Sequence, residues 1–267
     1  MLNVLKADLY RISKDKMFTI LIIICGVISV ALPAFVAAIY MGIAGGYNRD
    51  AVDTLYLVDT VSSPSSAFGL VLAIFILIFL GKDSTTLRNK VIGGITRRDI
   101  FFSNVLLCVI LYVGFMLAHT LVTFAVTSIF FNVRSNYDIL HIVLGFTFKL
   151  CGLVVIALML SFLGQAFKNI ALGIVLFVIL AELTNGYGAI VQTTVPPAIA
   201  SGNYDHLIPL FNTLLIVAYG SFQYSTGFTL QADYNLMFLL SYFTSLVMFG
   251  MAFVGFGYLI MQRKDLK

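Results

Sequence analysis

Two ionisable side chains interrupt long apolar stretches of this sequence, and they are the first candidates for chemistry. Lys149 lies in the stretch that begins at His141, and Glu182 lies in the stretch that begins at Ile170. A charge at the centre of a membrane helix costs about 2.5–3.5 kcal/mol on insertion scales, so it is usually paired or functional. On adjacent antiparallel helices the two residues would lie at similar depth. The sequence therefore predicts a Lys149–Glu182 ion pair, with a substrate-facing or proton-coupling role as the alternative.

The sequence lacks the motifs that catalysis would need. His119, His141 and His206 are isolated from one another, and Glu182 is the only glutamate, so a His-Glu-x-x-His site and paired glutamates are both excluded. Neither a Gly-x-Ser-x-Gly turn nor a phosphate-binding Gly-x-x-x-x-Gly-Lys-Ser/Thr loop is present. The 3 cysteines fall in apolar runs and fit no metal pattern. We expect no enzymatic activity, and no metal or cofactor bound by this chain.

The elements that must position the two charges follow from composition. The chain has 267 residues, of which 60% are hydrophobic and 10% are charged, whereas soluble domains carry about 25% charged residues. A bilayer core needs roughly 20 apolar residues per helix. The stretches that meet this requirement are 18–40, 63–80, 104–130, 141–164, 170–190 and 235–261. The sequence predicts an all-α integral membrane protein with a single six-helix transmembrane domain.

The basic residues predict the orientation. They are concentrated before the first span, between the second and third, after the fourth and after the sixth, whereas the other side has only Arg49 and Arg134. Both termini are therefore expected in the cytoplasm of a multi-pass plasma-membrane protein, bacterial in type. The net charge of +4 reflects this bias, so no nucleic-acid partner is needed. A cleaved signal peptide is the alternative for the amino terminus, but the run from Phe18 is too long.

Two segments outside the spans have apolar patterns of their own. Residues 1–17 are predicted to contain an interfacial amphipathic helix, with a topological anchor as the alternative. Its apolar positions are Leu2, Leu5, Leu9 and Ile12, and its polar positions are Asn3, Lys6, Asp8 and Arg11. Residues 191–234 hold an apolar stretch too short to span, which favours a re-entrant segment on the outer side. We expect it to form an outer gate through Leu207, Pro209, Phe211 and Leu214.

The cytoplasmic loop 82–100 has the signals of a docking element. Ser84 or Thr85 can cap a helix that starts near Leu87, and Gly93 and Gly94 can end it. A second cap near Thr96–Asp99 would start the third span. The residues expected to contact a partner are Leu87, Arg88, Val91, Ile92, Arg97 and Arg98. A plain basic loop that only sets the topology is the alternative.

On these features the chain resembles the membrane subunit of an ABC-2-type ABC transporter. The similarity rests on the architecture and on about 20 loop positions, from Thr85-Thr86-Leu87-Arg88 through Thr96-Arg97-Arg98-Asp99-Ile100-Phe101. Asp83 stands where the family often has Glu, and Ser103-Asn104 replaces its usual Gly-Lys. The resemblance implies a permease, similar to those of bacteriocin-immunity, peptide and drug export systems, that moves an amphipathic or hydrophobic substrate. It also implies separate ATPase subunits that bind the ATP and dock on loop 82–100, and a second permease subunit.

Two other functions remain open at the level of sequence. An ion- or proton-coupled carrier or channel could use Lys149, Glu182 and His119, although no internal repeat supports it. A membrane scaffold without a transport pathway would need none of these residues.

Overall fold

The structure is a computed structural model that describes residues 2–43, 53–64, 66–133, 138–167, 169–200, 209–210, 214 and 236–263. Within the helices, the side chains of Leu2, 82–88, most of 184–200, 236–238 and 241 lie outside the description. The described part of the chain is helical and contains no strand. Its helices are α1 Leu2–Lys14, α2 Lys16–Ile43, α3 Thr54–Val61, α4 Ala67–Ile92, α5 Arg97–Phe130, α6 Ile139–Ala166, α7 Ile170–Ala200 and α8 Leu236–Arg263.

Four of the described helices are long and apolar enough to cross a membrane, as expected of an all-α membrane protein. They are α2, α5, α6 and the part of α8 from Tyr242 to Arg263. The second and fifth predicted spans coincide with shorter apolar helical segments, Ala67–Gly81 in α4 and Ile170–Leu183 in α7. The contacts between helices place the α4–α5 turn, the start of α7 and the end of α8 at one end of the bundle. We call the turn at residues 93–96 the elbow, and this end the elbow end.

The helix before the elbow is longer than the sequence predicted. α4 continues without a break from Ala67 to Ile92, so the predicted helix start near Leu87 is wrong. No proline or glycine lies between Gly81 and Gly93, and Ser84 and Thr85 are accommodated inside the helix. The helix does end at Gly93, and Gly94 has a positive φ of 85°. Such a backbone is easy for glycine because it has no Cβ.

A capping motif starts α5 on the other side of the elbow. The Thr96 hydroxyl accepts a hydrogen bond from the Asp99 amide at 3.1 Å and donates one to the Asp99 carboxylate at 2.8 Å. Arg97 then donates to the Gln262 carbonyl at 2.7 Å, near the end of α8. Cations at a helix carboxyl end complement its partial negative charge. The elbow is therefore a fixed turn attached to α8.

Helix α1 is packed on the bundle through the face that the sequence assigned to the lipid. Leu5 and Ile12 are buried in the main hydrophobic cluster, and Leu9 packs against it. Asp8, expected on the polar face, is only 3% exposed. Because α1 contacts α5, the apolar side chains of α1 pack against protein as well as against lipid.

Helix α6 forms the centre of the bundle, with contacts to α4, α5, α7 and α8. Gly164 of α6 packs directly on Leu80 of α4, since a Cβ added at Gly164 would lie 2.8 Å from the Leu80 Cβ. The added carbon would meet the stem of Leu80, which cannot rotate away. The two helices would have to separate to accommodate it.

We expect Gly164→Ala to lower the stability of the bundle by about 1–3 kcal/mol, the usual cost of overpacking. Gly114→Ala is the matched control, because no atom lies within 4 Å of a Cβ added there and alanine favours the helix. The thermal unfolding midpoint of the purified variants in mild detergent measures both effects. Equal midpoints for the two variants would contradict the close α4–α6 contact.

The segment before α4 forms a second, shorter helix inside the bundle. Thr54 at the start of α3 donates to the Asn132 carbonyl beyond the end of α5, at 2.7 Å. Val61 at the end of α3 lies 3.4 Å from His119 Nε2. The 8 residues of α3 correspond to about 12 Å of helix, so α3 runs from the far end of the bundle into its interior. α3 and α4 follow one another along the chain as separate helices, with a break between Val61 and Ala67.

Candidate functional site

A buried ion pair lies at the break between α3 and α4. The Lys149 ammonium donates to the Asp59 carboxylate at 3.0 Å and to the Ser62 hydroxyl at 2.7 Å. It also lies 3.5 Å from the Asp59 carbonyl. Lys149 is 3% and Asp59 is 2% exposed. Burying two charges is costly and is repaid only by good geometry with further hydrogen bonds, both of which are present here.

A histidine of α5 also contacts the end of α3. His119 of α5 lies 3.0 Å from the Ser29 hydroxyl through Nδ1 and 3.4 Å from the Val61 carbonyl through Nε2. A carbonyl oxygen only accepts, so in the neutral ring Nε2 donates to Val61 and Nδ1 accepts from Ser29. The ring stacks on Phe68 with centroids 3.9 Å apart. We call Ser29, Asp59, Ser62, His119 and Lys149 the polar cluster.

Four helices and the residue directly after α3 contribute side chains to the polar cluster. Ser29 comes from α2, Asp59 from α3, His119 from α5 and Lys149 from α6, while Ser62 follows the last residue of α3. The carboxyl end of α3 carries a partial negative charge, which favours the nearby ammonium group. Discontinuous membrane helices commonly place ion or substrate sites at their breaks for this reason.

The predicted pair of Lys149 with Glu182 is not the pair that the structure forms. Lys149 is paired with Asp59, and the side chain of Glu182 is exposed on α7. The prediction assumed that a short turn between α6 and α7 makes their charges meet. In the structure the Lys149 side chain reaches Asp59 and Ser62 instead, so Lys149 takes its counter-ion from the connection between the first two predicted spans.

A row of buried polar side chains on α5 continues on both sides of His119. Thr123 is fully buried, and its hydroxyl has no hydrogen-bond partner among the described residues. Toward the elbow, the Tyr112 hydroxyl and the Asn104 side-chain oxygen are in the same situation within the described part of the chain. Positions 104, 112, 119 and 123 follow helical spacing along one face. They cover about 28 Å of helix, close to the thickness of a bilayer core.

A second ion cluster lies at the elbow end. Asp8 of α1 accepts from Lys90 of α4 at 2.9 and 3.1 Å, and Arg11 lies 3.6 Å from the same carboxylate. The Ser103 hydroxyl of α5 is 3.5 Å away. The Arg11 guanidinium also lies over the Phe79 ring. These contacts hold α1 against the start of α5 and the end of α4.

The predicted docking residues take different positions around the elbow. Val91 packs against the cluster of Ile100, Phe101 and Met261, whereas Ile92 is 73% exposed. Arg97 reaches the end of α8, as described above, and Arg98 lies over the Phe102 ring at 5.9 Å. The side chains of Leu87 and Arg88 lie outside the described residues. The structure therefore brings Val91 and Arg97 into internal contacts and leaves Ile92 on the surface.

The predicted outer gate falls mostly on residues that the structure does not describe. Leu207 and Phe211 are outside the described residues, while Pro209 and Leu214 are helical. Pro209 is exposed and Leu214 is partly buried.

Asp59 and Asp8 are the site residues that sequence reasoning missed. One signal was available for Asp59. Asp53 precedes the apolar run Thr54–Val61 and caps it, since its carboxylate accepts from the amides of Leu55 and Tyr56. An acidic cap followed by apolar residues favours a short helix, within which a further aspartate needs a partner.

Neither the described residues nor the comparisons with known proteins assign a chemistry to the site. In the part of the chain that the structure describes, no group of three His, Cys, Asp or Glu residues could hold a metal ion. The chain matches no protein-family model and no curated protein sequence.

Proposed function

We propose that the chain crosses a bacterial plasma membrane six times, with both termini and the elbow in the cytoplasm. The alternation of helix directions supports this, because α4, α6 and α8 all end at the elbow end while α2, α5 and α7 begin there. Basic residues of α1, the elbow and the end of α8 lie at the same end. Such residues are concentrated on cytoplasmic sides.

We further propose that the chain is the membrane subunit of an ABC-2-type ABC transporter, which exports an amphipathic or hydrophobic substrate such as a peptide, bacteriocin or drug-like molecule. The observation that carries this proposal is the elbow. It is a capped turn between α4 and α5. On its two sides Ile92 is exposed, Lys90 contacts α1 and Arg97 contacts α8. A rigid turn outside the apolar core can transmit the movement of a docked partner to α4 and α5.

The proposed partners are cytoplasmic ATPase subunits, which would bind the ATP, and a second permease subunit. Beside the elbow, Ile92 is the proposed apolar anchor and Arg98 a peripheral charge, with Leu87 and Arg88 retained from the sequence. Apolar anchors usually dominate binding, whereas charges at the rim contribute less. Val91 and Arg97 would stabilise the conformation of the elbow, because their contacts are with other parts of the same chain.

A coupled carrier or channel is the second candidate, and the polar cluster favours it. His119 and Lys149 meet around the end of α3, as two members of the residue set predicted for proton or ion coupling. Glu182 would take no part from its exposed position. Substrate flux driven by an ion gradient in vesicles that contain the purified chain alone would favour this candidate over the ABC transporter.

Ile92→Asp tests the docking proposal. We expect the wild-type chain, purified from its native membrane, to carry an ATPase with a Gly-x-x-x-x-Gly-Lys-Ser/Thr loop. The variant should retain less than about a tenth of it, as for loss of a central anchor. Ile139→Asp is the matched control, because Ile139 is 81% exposed at the far end of the bundle.

Quantitative co-purification and ATP turnover of the eluate are the two measurements. Wild-type amounts of ATPase on the Ile92 variant would remove the elbow from the interface. A wild-type chain that carries no ATPase would contradict the proposed function itself.

A further inference from the structure

The polar cluster has a fixed cation and an anion on a separate short helix. Lys149 is carried by α6, a 28-residue helix at the centre of the bundle. Asp59 is carried by α3, an 8-residue helix between the far end of the bundle and the break. At its two ends α3 contacts α5 and the residues after it: Thr54 donates to the Asn132 carbonyl, and the Val61 carbonyl accepts from His119. Any opening of the far end that displaces α3 would thus remove the carboxylate and leave the ammonium behind.

Displacement of α3 would change the surroundings of Asp59 and Lys149 in different ways. Asp59 would move toward the end of the bundle, where water can solvate a carboxylate. Lys149 would remain in the interior without a counter-ion, a situation that is strongly unfavourable. An incoming carboxylate would remove this penalty, whereas a neutral or cationic molecule would not. A site of this kind would discriminate by charge once α3 is displaced.

The surroundings of Lys149 hold further donors for such a group. His119 Nε2 donates to the Val61 carbonyl at the end of α3, so this donor would be released when α3 leaves. The buried Thr123 hydroxyl, one helical turn from His119, has no partner among the described residues. An apolar ring borders the cluster, since Phe68 is stacked on His119. Such a combination of polar and apolar groups suits an acidic amphipathic molecule.

We propose that Lys149 is the binding site for the carboxylate of an acidic amphipathic substrate, and that Asp59 occupies this site as a tethered substitute while the bundle is closed. The inference rests on the proposed transport function and names its substrate class. It adds a role for α3, which would leave the site when the substrate enters. Binding of the substrate then exchanges one carboxylate for another, so the ammonium group stays paired throughout.

The test is equilibrium binding of 11-(dansylamino)undecanoic acid to the purified chain in phosphatidylcholine nanodiscs, followed by dansyl fluorescence. The methyl ester of the same probe is the neutral control. We expect Asp59→Asn to bind the acid about tenfold more tightly than the wild type, because the competing carboxylate no longer occupies the site. Affinity for the ester should not change. Glu182→Gln should behave as the wild type, since Glu182 lies outside the cluster.

The second part of the binding test removes the cation of Lys149. Asp59→Asn combined with Lys149→Gln should bind acid and ester alike, and Lys149→Arg should keep the preference for the acid. An Asp59→Asn chain that binds the acid no more tightly than wild type would overturn the proposal, as would an acid preference that survives loss of Lys149. The assay contains no ATPase, so a failure of elbow docking would leave its result unaffected.

Discussion

Lys149→Met is expected to destabilise the bundle by about 3–5 kcal/mol, the usual cost of leaving one charge of a buried pair without its partner. Asp59 would remain 2% exposed with its cation removed, and the Ser62 hydroxyl would lose a donor. Because membrane proteins are only marginally stable, this loss should appear as a large drop in folded yield. Fluorescence-detected size exclusion of detergent extracts measures that yield, and the thermal midpoint measures the stability of what remains.

The double variant Lys149→Met with Asp59→Asn should recover most of the yield, because neither charge is then left uncompensated. Lys149→Met combined with Glu182→Gln should recover none of it, since the Glu182 side chain is exposed and unpaired with Lys149. The difference between these two double variants separates the observed partner from the one expected from helix order. Recovery with the glutamate variant alone would mean that Lys149 and Asp59 do not meet in the membrane.

Asp8→Lys should release α1 from the bundle. The substitution would place a third cation beside Lys90, 2.9 Å from the present carboxylate, and Arg11, at 3.6 Å. Lys90 retains 14% exposure of its side chain, so we expect a loss of about 2–4 kcal/mol, somewhat below that of a fully buried pair. Thermal unfolding and trypsin cleavage within α1 are the measurements.

Exchanging the charges provides the control for Asp8. Asp8→Lys with Lys90→Asp should restore a pair of opposite charges between the same two helices, and with it much of the stability. Asn3→Lys adds a lysine to the exposed face of α1 and should have little effect. If the exchange variant is no more stable than Asp8→Lys alone, the pair does not hold α1 in place.

The long helices were predictable because their apolar runs exceed the thickness of a bilayer. The predicted spans 18–40, 104–130 and 141–164 each lie inside a described helix, as α2, α5 and α6. Hydropathy identifies only the apolar part of a helix, however. It therefore missed the polar helical turns that continue α4 as far as Ile92. Thr85 and its neighbours favour caps locally, but with no helix breaker before Gly93 the backbone hydrogen bonds of α4 continue through them.

The polar cluster was only half predictable. Lys149 and His119 stand out as ionisable residues in apolar stretches, and both are in the site. Asp59 does not stand out, because it follows a loop with other aspartates, and its burial depends on α3 folding back along α5. Which carboxylate meets Lys149 is therefore decided by tertiary packing and cannot be read from the order of the spans.

The contact of Arg97 with Gln262 has a consequence for how the protein is made. These two residues are 165 positions apart, and Met261 also completes the apolar cluster of Ile100 and Phe101 beside the elbow. Ribosomes extend a chain at about 5–20 residues per second, so the elbow exists for roughly ten seconds or more before α8 is synthesised. During that interval the residues around the elbow lack their contacts with Met261 and Gln262 of α8. A partner that recognises the completed elbow would thereby select full-length, inserted chains over nascent ones.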